Sequence, residues 1–178
     1  MKIGVLCYPT FGGSGVVATE LGMALANKGH QVHFISYKQP VRLNHFNQNI
    51  FFHEVIEPDY ALFEQMPYES ALVSTIVDVA QSVALDVLHV HYAIPHAAVG
   101  FMAREILREK GMYLPVVTTL HGTDITLVGK RRAFAPIVEF SINQSDVVTA
   151  VSNDLRNQTY DHFEINQSIE VIYNFIDF

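Results

Sequence analysis

Three glycines and a serine stand where a phosphate-binding loop begins in many α/β proteins. The stretch Gly12–Gly15 follows the apolar run KIGVLCY and precedes a helical pattern from Val16 to Lys28. A helix amino terminus offers unpaired N–H groups and a positive dipole end, and glycine allows close approach of a phosphate. Read from Gly13, GSGVVA also fits the dinucleotide pattern G-x-G-x-x-[GA]. The stretch predicts anion binding, with a tight turn that binds nothing as the alternative.

The residues after the predicted second strand test the dinucleotide interpretation. NAD sites usually place an acidic residue about 20 positions beyond the glycines, where it binds the ribose hydroxyls. Here the second strand ends in ISYKQPVR, and no acidic residue appears before Glu54. Lys38 and Arg42 could bind a 2′-phosphate, so an NADP-linked oxidoreductase stays open as an alternative. The chain has no Tyr-x-x-x-Lys pair, which counts against that alternative.

Polar residues follow several of the predicted strands. Tyr92 ends one strand, the stretch Thr119–Asp124 ends the next, and Ser152–Asn153 ends a third. Ligands of open parallel sheets bind outside the carboxyl ends of the strands. We therefore expect these residues and Gly12–Gly15 to face one crevice. Their side chains suit recognition of hydroxyl and carboxylate groups better than hydride transfer.

Short apolar runs alternate with helical patterns along the chain, which predicts the elements that position these residues. The order is typical of an α/β fold with a doubly wound, mostly parallel, Rossmann-like sheet of about seven strands. Strands are predicted at 2–8, 31–37, 50–56, 86–92, 115–121, 146–152 and 169–174; helices are predicted at 16–28, 69–85, 95–110 and 131–143, with a loop over 38–49 and a short helix that begins after Ser152 as N-cap.

Composition excludes several classes of protein. The 178 residues are 49% hydrophobic, enough for the core of one domain, and carry a net charge of −7 that argues against a nucleic-acid partner. Cys7 has no partner for a disulfide, which is typical of the reducing cytoplasm. No apolar run approaches the roughly 18 residues of a transmembrane helix. A soluble cytoplasmic protein is predicted.

Some candidate residues have plainer interpretations. His89 and His91 lie one residue apart on a predicted strand. We expect them to point to opposite faces, so that one is a core histidine and the two do not hold a metal ion together. Asp124 could simply cap a helix, and Tyr92 could be a packing aromatic residue. No metal site is predicted.

Five segments, taken together, resemble the amino-terminal domain of retaining GT-B glycosyltransferases. They occur in the family's order over essentially the whole chain: GGSG after the first strand, HVHYAIPHA (89–97), TTLHGTD (118–124), TAVSNDL (149–155) and VIYNFID (171–177). HYAIPHA, TTLHGTD and VIYNFID are most similar to enzymes that transfer GlcNAc from UDP-GlcNAc to L-malate in bacillithiol biosynthesis. The resemblance implies that residues 1–178 form the acceptor-side domain and that a second, donor-binding domain lies outside them. These residues alone are then expected to have no useful activity.

The resemblance also implies roles for individual residues. Gly12, Gly13, Ser14 and Gly15 would border the donor diphosphate, and Ser14 would also reach the acceptor. Tyr92, Thr119 and Asn153 would line the acceptor pocket. His121 and Asp124 would be the catalytic pair: His121 lies against the transferred sugar and assists the oxocarbenium charge by its position and carbonyl, while Asp124 anchors the loop.

The implied mechanism uses no metal or cofactor. No second carboxylate completes the pair found in glycoside hydrolases. The resemblance implies instead that the leaving phosphate deprotonates the acceptor hydroxyl. The implied partners are a sugar nucleotide, a small dicarboxylate acceptor and a second copy of the chain, since the family tends to pair. The same scaffold also serves inositol phosphate, lipid and sugar acceptors. A non-catalytic module of the response-regulator type is disfavoured, because Cys7-Tyr8-Pro9 lacks the acidic cluster such modules need.

Overall fold

One parallel sheet organises the molecule. The computed structural model describes residues 1–43, 47–56 and 68–175. Within them, seven strands pair in the order β3-β2-β1-β4-β5-β6-β7, and every pairing is parallel. The predicted architecture is thus confirmed. The strands are β1 (Lys2–Leu6), β2 (Gln31–Ser36), β3 (Ile50–Glu54), β4 (Val87–His91), β5 (Val116–Leu120), β6 (Val147–Ala150) and β7 (Ile169–Val171).

Helices follow most of the strands, as the periodicity predicts. Short helical turns at Ala93–Ala97 and Thr123–Gly129 come directly after β4 and β5. The predicted N-cap is confirmed, because the Ser152 hydroxyl oxygen accepts a hydrogen bond from the Leu155 N–H at 3.1 Å. In the described residues no helix has both the length and the apolar character needed to cross a bilayer. The longer helices are α1 (Gly13–Asn27), α2 (Tyr68–Val83), α3 (Ala98–Glu109), α4 (Ala135–Gln144) and α5 (Asn153–His162).

The helices cover the two faces of the sheet unequally. α1 packs on one face, where its Ala18 shares a buried cluster with Val5 and Phe34. α2 and α3 pack on the opposite face, over Leu6 and Leu88. α4 and α5 continue that second layer over β5, β6 and β7. Side chains alternate along a strand, so consecutive β1 residues are buried on opposite faces and the strand reads as a continuous apolar run.

Several predicted boundaries were wrong by a few residues. β1 ends at Leu6 and β7 at Val171, because a strand ends where its neighbour stops pairing with it. α1 begins at Gly13 and not at Val16, so the glycines form its first turn. Ile94 is extended, with φ −132°, and interrupts the turn Ala93–Ala97, so regular helix begins only at Ala98 and not at residue 95. Part of the predicted loop (44–46) and the last two residues of VIYNFID (176–177) lie outside the described residues.

The chain changes winding direction at β1, which lies between β2 and β4. The crevice at this switch point is where an open sheet binds ligands.

Gly15 allows the first turn of α1 to approach the loop after β1. A Cβ at Gly15 would lie 2.7 Å from the Thr10 carbonyl oxygen and closer still to that of Tyr8, whereas a Cβ at Gly13 would meet nothing within 4 Å.

This difference predicts the stability of two matched variants. Gly15→Ala forces the loop and helix apart, and we expect a loss of about 1–3 kcal/mol in the free energy of unfolding. Gly13→Ala should change it by no more than about 0.5 kcal/mol. Urea denaturation followed by circular dichroism measures both. Equal stabilities for the two variants would contradict the close approach at Gly15.

Candidate active site

Three loops meet at the carboxyl edge of the sheet. The Tyr92 ring, after β4, lies 5.6 Å from the Tyr8 ring after β1 and 5.4 Å from the His121 ring after β5, measured between centroids. Tyr92 has a φ of 91°, which residues other than glycine seldom adopt, so its surroundings must hold it in this conformation. The structure therefore brings the residues that end or follow β1, β4 and β5 together at this edge of the sheet.

Asp124 ties two of these loops together. One carboxylate oxygen accepts hydrogen bonds from the N–H groups of His121 (3.2 Å) and Gly122 (2.9 Å). The other accepts from the N–H of Ala93 at 3.0 Å. The side chain is only 2% exposed; this burial raises the pKa of the Asp124 carboxyl, and the three backbone donors act in the opposite direction. Both oxygens are thus committed to the backbone, which suits the predicted anchoring role.

Three histidines, His89, His91 and His121, form a stacked column beside the turn that contains Asp124. The ring centroids are 4.5 Å apart for His89 and His91 and 5.1 Å apart for His91 and His121. His91 Nδ1 lies 2.8 Å from His121 Nε2. The expectation that His89 and His91 face opposite sides was wrong, because residues two apart on a strand share a face. Within the described ranges no three His, Cys, Asp or Glu side chains are grouped to hold a metal ion.

Burial keeps these histidines neutral. It lowers the pKa values of His89 and His121 to about 4, and that of His91 well below its ordinary value. His96 is fully buried behind the column, and its Nδ1–H donates to the carbonyl oxygen of His91 at 2.6 Å. Burial likewise lowers the pKa of His96 to about 4. At neutral pH each imidazole therefore provides one donor and one acceptor.

The predicted acceptor residues do not share a single cavity. Thr119, 9% exposed, lines a cavity of about 170 Å³ on the α1 side of the sheet, with Thr149 and the segment 172–175. Its hydroxyl lies 2.7 Å from both His89 Nε2 and Thr149 Oγ1. Tyr92 instead lines a cavity of about 370 Å³ with Tyr8 and Asp124, next to α2 and α4. Thr119 and Tyr92 thus line different sides of the crevice.

The remaining predicted residues lie on the α1 side. Gly12 and Gly13 are exposed, and among the described residues no side chain caps the first turn of α1, which leaves its N–H groups without a side-chain partner. Ser14 is buried in that turn. Asn153 is exposed and donates to the Tyr173 hydroxyl at 2.7 Å, so it reaches the smaller cavity through Tyr173.

Sequence reasoning missed several residues of the crevice. Tyr8 and Glu69 line the larger cavity, and His96 contacts the Tyr8 ring with 4.6 Å between centroids. Tyr8 is the last residue of the first predicted strand, which was a usable signal. His89 could have been found from the period of two along its strand. Nothing in the sequence pattern pointed to Glu69, which lies in the first turn of α2.

Comparison with known proteins gives the class to which this site belongs. Residues 11–178 match the family described as Glycosyltransferase Family 4, and the chain belongs to that family. The resemblance noted in the sequence is thereby confirmed. Among individual proteins, the chain is 50% identical over 177 residues to N-acetyl-alpha-D-glucosaminyl L-malate synthase of Bacillus anthracis, a match that covers 99% of this chain and 46% of that protein. The chain spans about half the length of the curated relatives it matches.

Solved structures share the fold at low sequence identity. The Anabaena protein Alr3699/HepE, solved in complex with UDP-glucose, superposes with a TM-score of 0.72 at 19% identity, over 99% of this chain and 44% of that one. Sucrose-phosphate synthase from Thermosynechococcus elongatus superposes with a TM-score of 0.70 at 13% identity, over 97% and 48% of the two chains. The expected Rossmann-like half of a GT-B glycosyltransferase is confirmed at the level of fold.

The neutral histidines predict a defined pH dependence of stability. Unfolding returns the pKa of His96 from about 4 to its ordinary 6.5, so its stabilising contribution is complete above pH 6.5 and is lost as the pH falls toward 4. His96→Asn places an amide N–H near the position of Nδ1 and does not titrate. Between those two pH values, we expect the variant's unfolding free energy to fall less steeply, by up to about 1.4 kcal/mol per pH unit. Urea denaturation at several pH values measures the slope, and a slope identical to wild type would contradict burial of neutral His96.

Proposed function

We propose that this chain is the acceptor-binding half of a retaining glycosyltransferase that transfers GlcNAc from UDP-GlcNAc to L-malate. The observation that carries the proposal is the 50% identity, over 99% of the chain, to a protein named as an N-acetyl-alpha-D-glucosaminyl L-malate synthase. Family membership supports a transferase over the NADP-linked oxidoreductase and the non-catalytic module. We further expect a cytoplasmic homodimer that needs no metal or cofactor.

The first turn of α1 is the part of the donor site that this chain supplies. Its uncapped N–H groups and the positive end of the helix dipole suit a diphosphate. The surroundings of Gly13 support a donor site here, because a Cβ at this position would contact no atom of the protein within 4 Å. Glycine at this position keeps the backbone open to a ligand. The described complex of a structural neighbour with UDP-glucose supports a sugar nucleotide as the donor class.

L-malate needs several donors and little nearby negative charge, because it carries two carboxylates and a hydroxyl. Ser14, Thr119 and Asn153 provide neutral donors on the α1 side, close to the positive end of the α1 dipole. Tyr92 provides a hydroxyl from the other side of the crevice. We place the malate between these groups, beside His121.

The chemistry follows from what the two catalytic candidates can do. Asp124 is bound through both oxygens to three backbone N–H groups, so it holds the loop and does not attack the sugar. His121 is neutral, because burial lowers its pKa to about 4. It therefore assists by position and by its dipoles. The leaving phosphate of the donor then accepts the proton of the malate hydroxyl as the new glycosidic bond forms.

The acceptor assignment predicts a selective effect on kinetics in the protein that contains both halves. Thr119→Val and Tyr92→Phe each remove a hydroxyl donor to a charged ligand. We expect the KM for malate to rise about ten- to a hundredfold, with a smaller change in the KM for UDP-GlcNAc. Steady-state kinetics with each substrate varied in turn measures both constants.

Thr118→Val is the matched control. Thr118 is the neighbouring buried threonine on β5, but its hydroxyl bonds to Ser145 on the opposite face of the sheet. Its substitution should leave the KM for malate unchanged. Normal use of malate by both test variants, or equal transfer by the wild type to a neutral acceptor, would overturn the malate assignment while leaving family membership intact.

A further inference from the structure

His91 lies at the base of the α1-side cavity, which it lines with His89 and Thr119, and it contacts His121 at the end of β5. It is the last residue of β4, is 1% exposed, and stacks between His89 and His121. Its Nδ1 lies 2.8 Å from His121 Nε2, whereas its Nε2 is buried without a hydrogen-bond partner in the described part of the chain. Because two neutral imidazoles share one proton along this contact, either His91 or His121 must be the donor.

His96 shows which tautomer this interior accepts. A carbonyl oxygen can only accept, so the contact of His96 Nδ1 with the His91 carbonyl fixes the His96 proton on Nδ1. Its Nε2 is then a bare lone pair, buried without a partner among the described residues. Buried N–H groups that lack an acceptor are rarer in proteins than acceptors that lack a donor. An unpartnered Nε2 is thus tolerated at this place in its deprotonated form.

The same argument decides which of the two rings donates in the hydrogen bond between His91 and His121. If His121 donated, His91 would carry its own proton on Nε2, which would be a buried N–H without an acceptor. If His91 donates from Nδ1, its Nε2 is a bare lone pair like that of His96. The second arrangement costs less free energy.

We propose that His91 is a positioning residue for the transfer reaction: its Nδ1–H donates to His121 Nε2 and thereby holds the His121 proton on Nδ1, as a donor to an oxygen of the bound substrate. The role in transfer rests on the proposed function. The tautomer does not, because it follows from contacts within the chain. Among the residues that the structure describes, His121 Nδ1 makes no hydrogen bond, so its N–H is available to a ligand beside the Tyr92 ring.

Two substitutions of His91 separate its hydrogen bond from its bulk. His91→Leu removes the donor, and His91→Asn restores an amide N–H near the position of Nδ1. His33→Leu is the matched control. His33 is also a strand histidine, 3% exposed, with Nδ1 2.9 Å from another histidine's Nε2 (that of His53) and an unpartnered buried Nε2, but it lies on β2 away from the crevice.

Long-range proton–nitrogen correlation spectra of this chain, labelled with nitrogen-15 in histidine, report which ring nitrogen of His121 carries the proton. We expect the His121 proton on Nδ1 in the wild type, in His91→Asn and in His33→Leu. In His91→Leu we expect the fraction of His121 protonated on Nε2 to increase. A wild-type proton on Nε2, or a His121 tautomer unaffected by His91→Leu, would overturn the proposal. This measurement stands even if the protein proves to transfer no sugar.

Kinetics of the protein with both halves tests the consequence for the reaction. His91→Leu should lower kcat about ten- to a hundredfold with little change in either KM, and His91→Asn should recover most of the loss. His33→Leu should retain the wild-type kcat. An equal loss of kcat in His33→Leu and His91→Leu, or no recovery in His91→Asn, would show a general structural effect and contradict the positioning role.

Discussion

The candidate site depends on one buried carboxylate. Asp124 joins the turn after β5 to the turn after β4 through three backbone N–H groups, and these turns contain Tyr92 at φ 91° and Gly122 at φ 119°. The N–H groups of Ala93, His121 and Gly122 lie where the strands have ended, so an acceptor outside the sheet must satisfy them. Hydrogen bonds between an ionised carboxylate and backbone N–H groups are among the stronger ones in proteins, and they offset the unfavourable burial of the charge.

With the two turns fixed, the buried polar groups of β4 and β5 can satisfy one another. His91 forms a hydrogen bond with His121. The Thr119 hydroxyl forms hydrogen bonds with both His89 and Thr149. Apolar residues of similar size would pack in a parallel sheet without needing partners. A polar column inside the sheet therefore contributes little to folding, and it is the kind of feature that a functional site retains. The column places His121 and Thr119 at the crevice with defined hydrogen-bonding roles.

The sheet, its order and the end of the sheet that carries the site could be predicted from sequence, because buried parallel strands read as apolar runs and ligands lie at their carboxyl ends. The division of the predicted acceptor residues between two cavities could not be predicted in the same way. Thr119 is the register partner of His91, and Tyr92 is the residue after His91, so the side chains of Thr119 and Tyr92 leave opposite faces of the sheet. That register between β4 and β5 is not contained in the apolar pattern of either strand. Glu69 reaches the crevice from the first turn of α2, and the periodicity of a helix does not predict a contact at its end.

The most direct test of this account is amide hydrogen exchange in Asp124→Asn. An asparagine has one acceptor oxygen in place of two, and its NH₂ group would face a backbone N–H. We predict that the amides of Ala93, His121 and Gly122 exchange faster together, by about ten- to a hundredfold, while the amides between β1 and β2 keep their wild-type rates. Unchanged exchange at these three amides would show that something other than the Asp124 carboxylate holds the two turns, and would contradict the account.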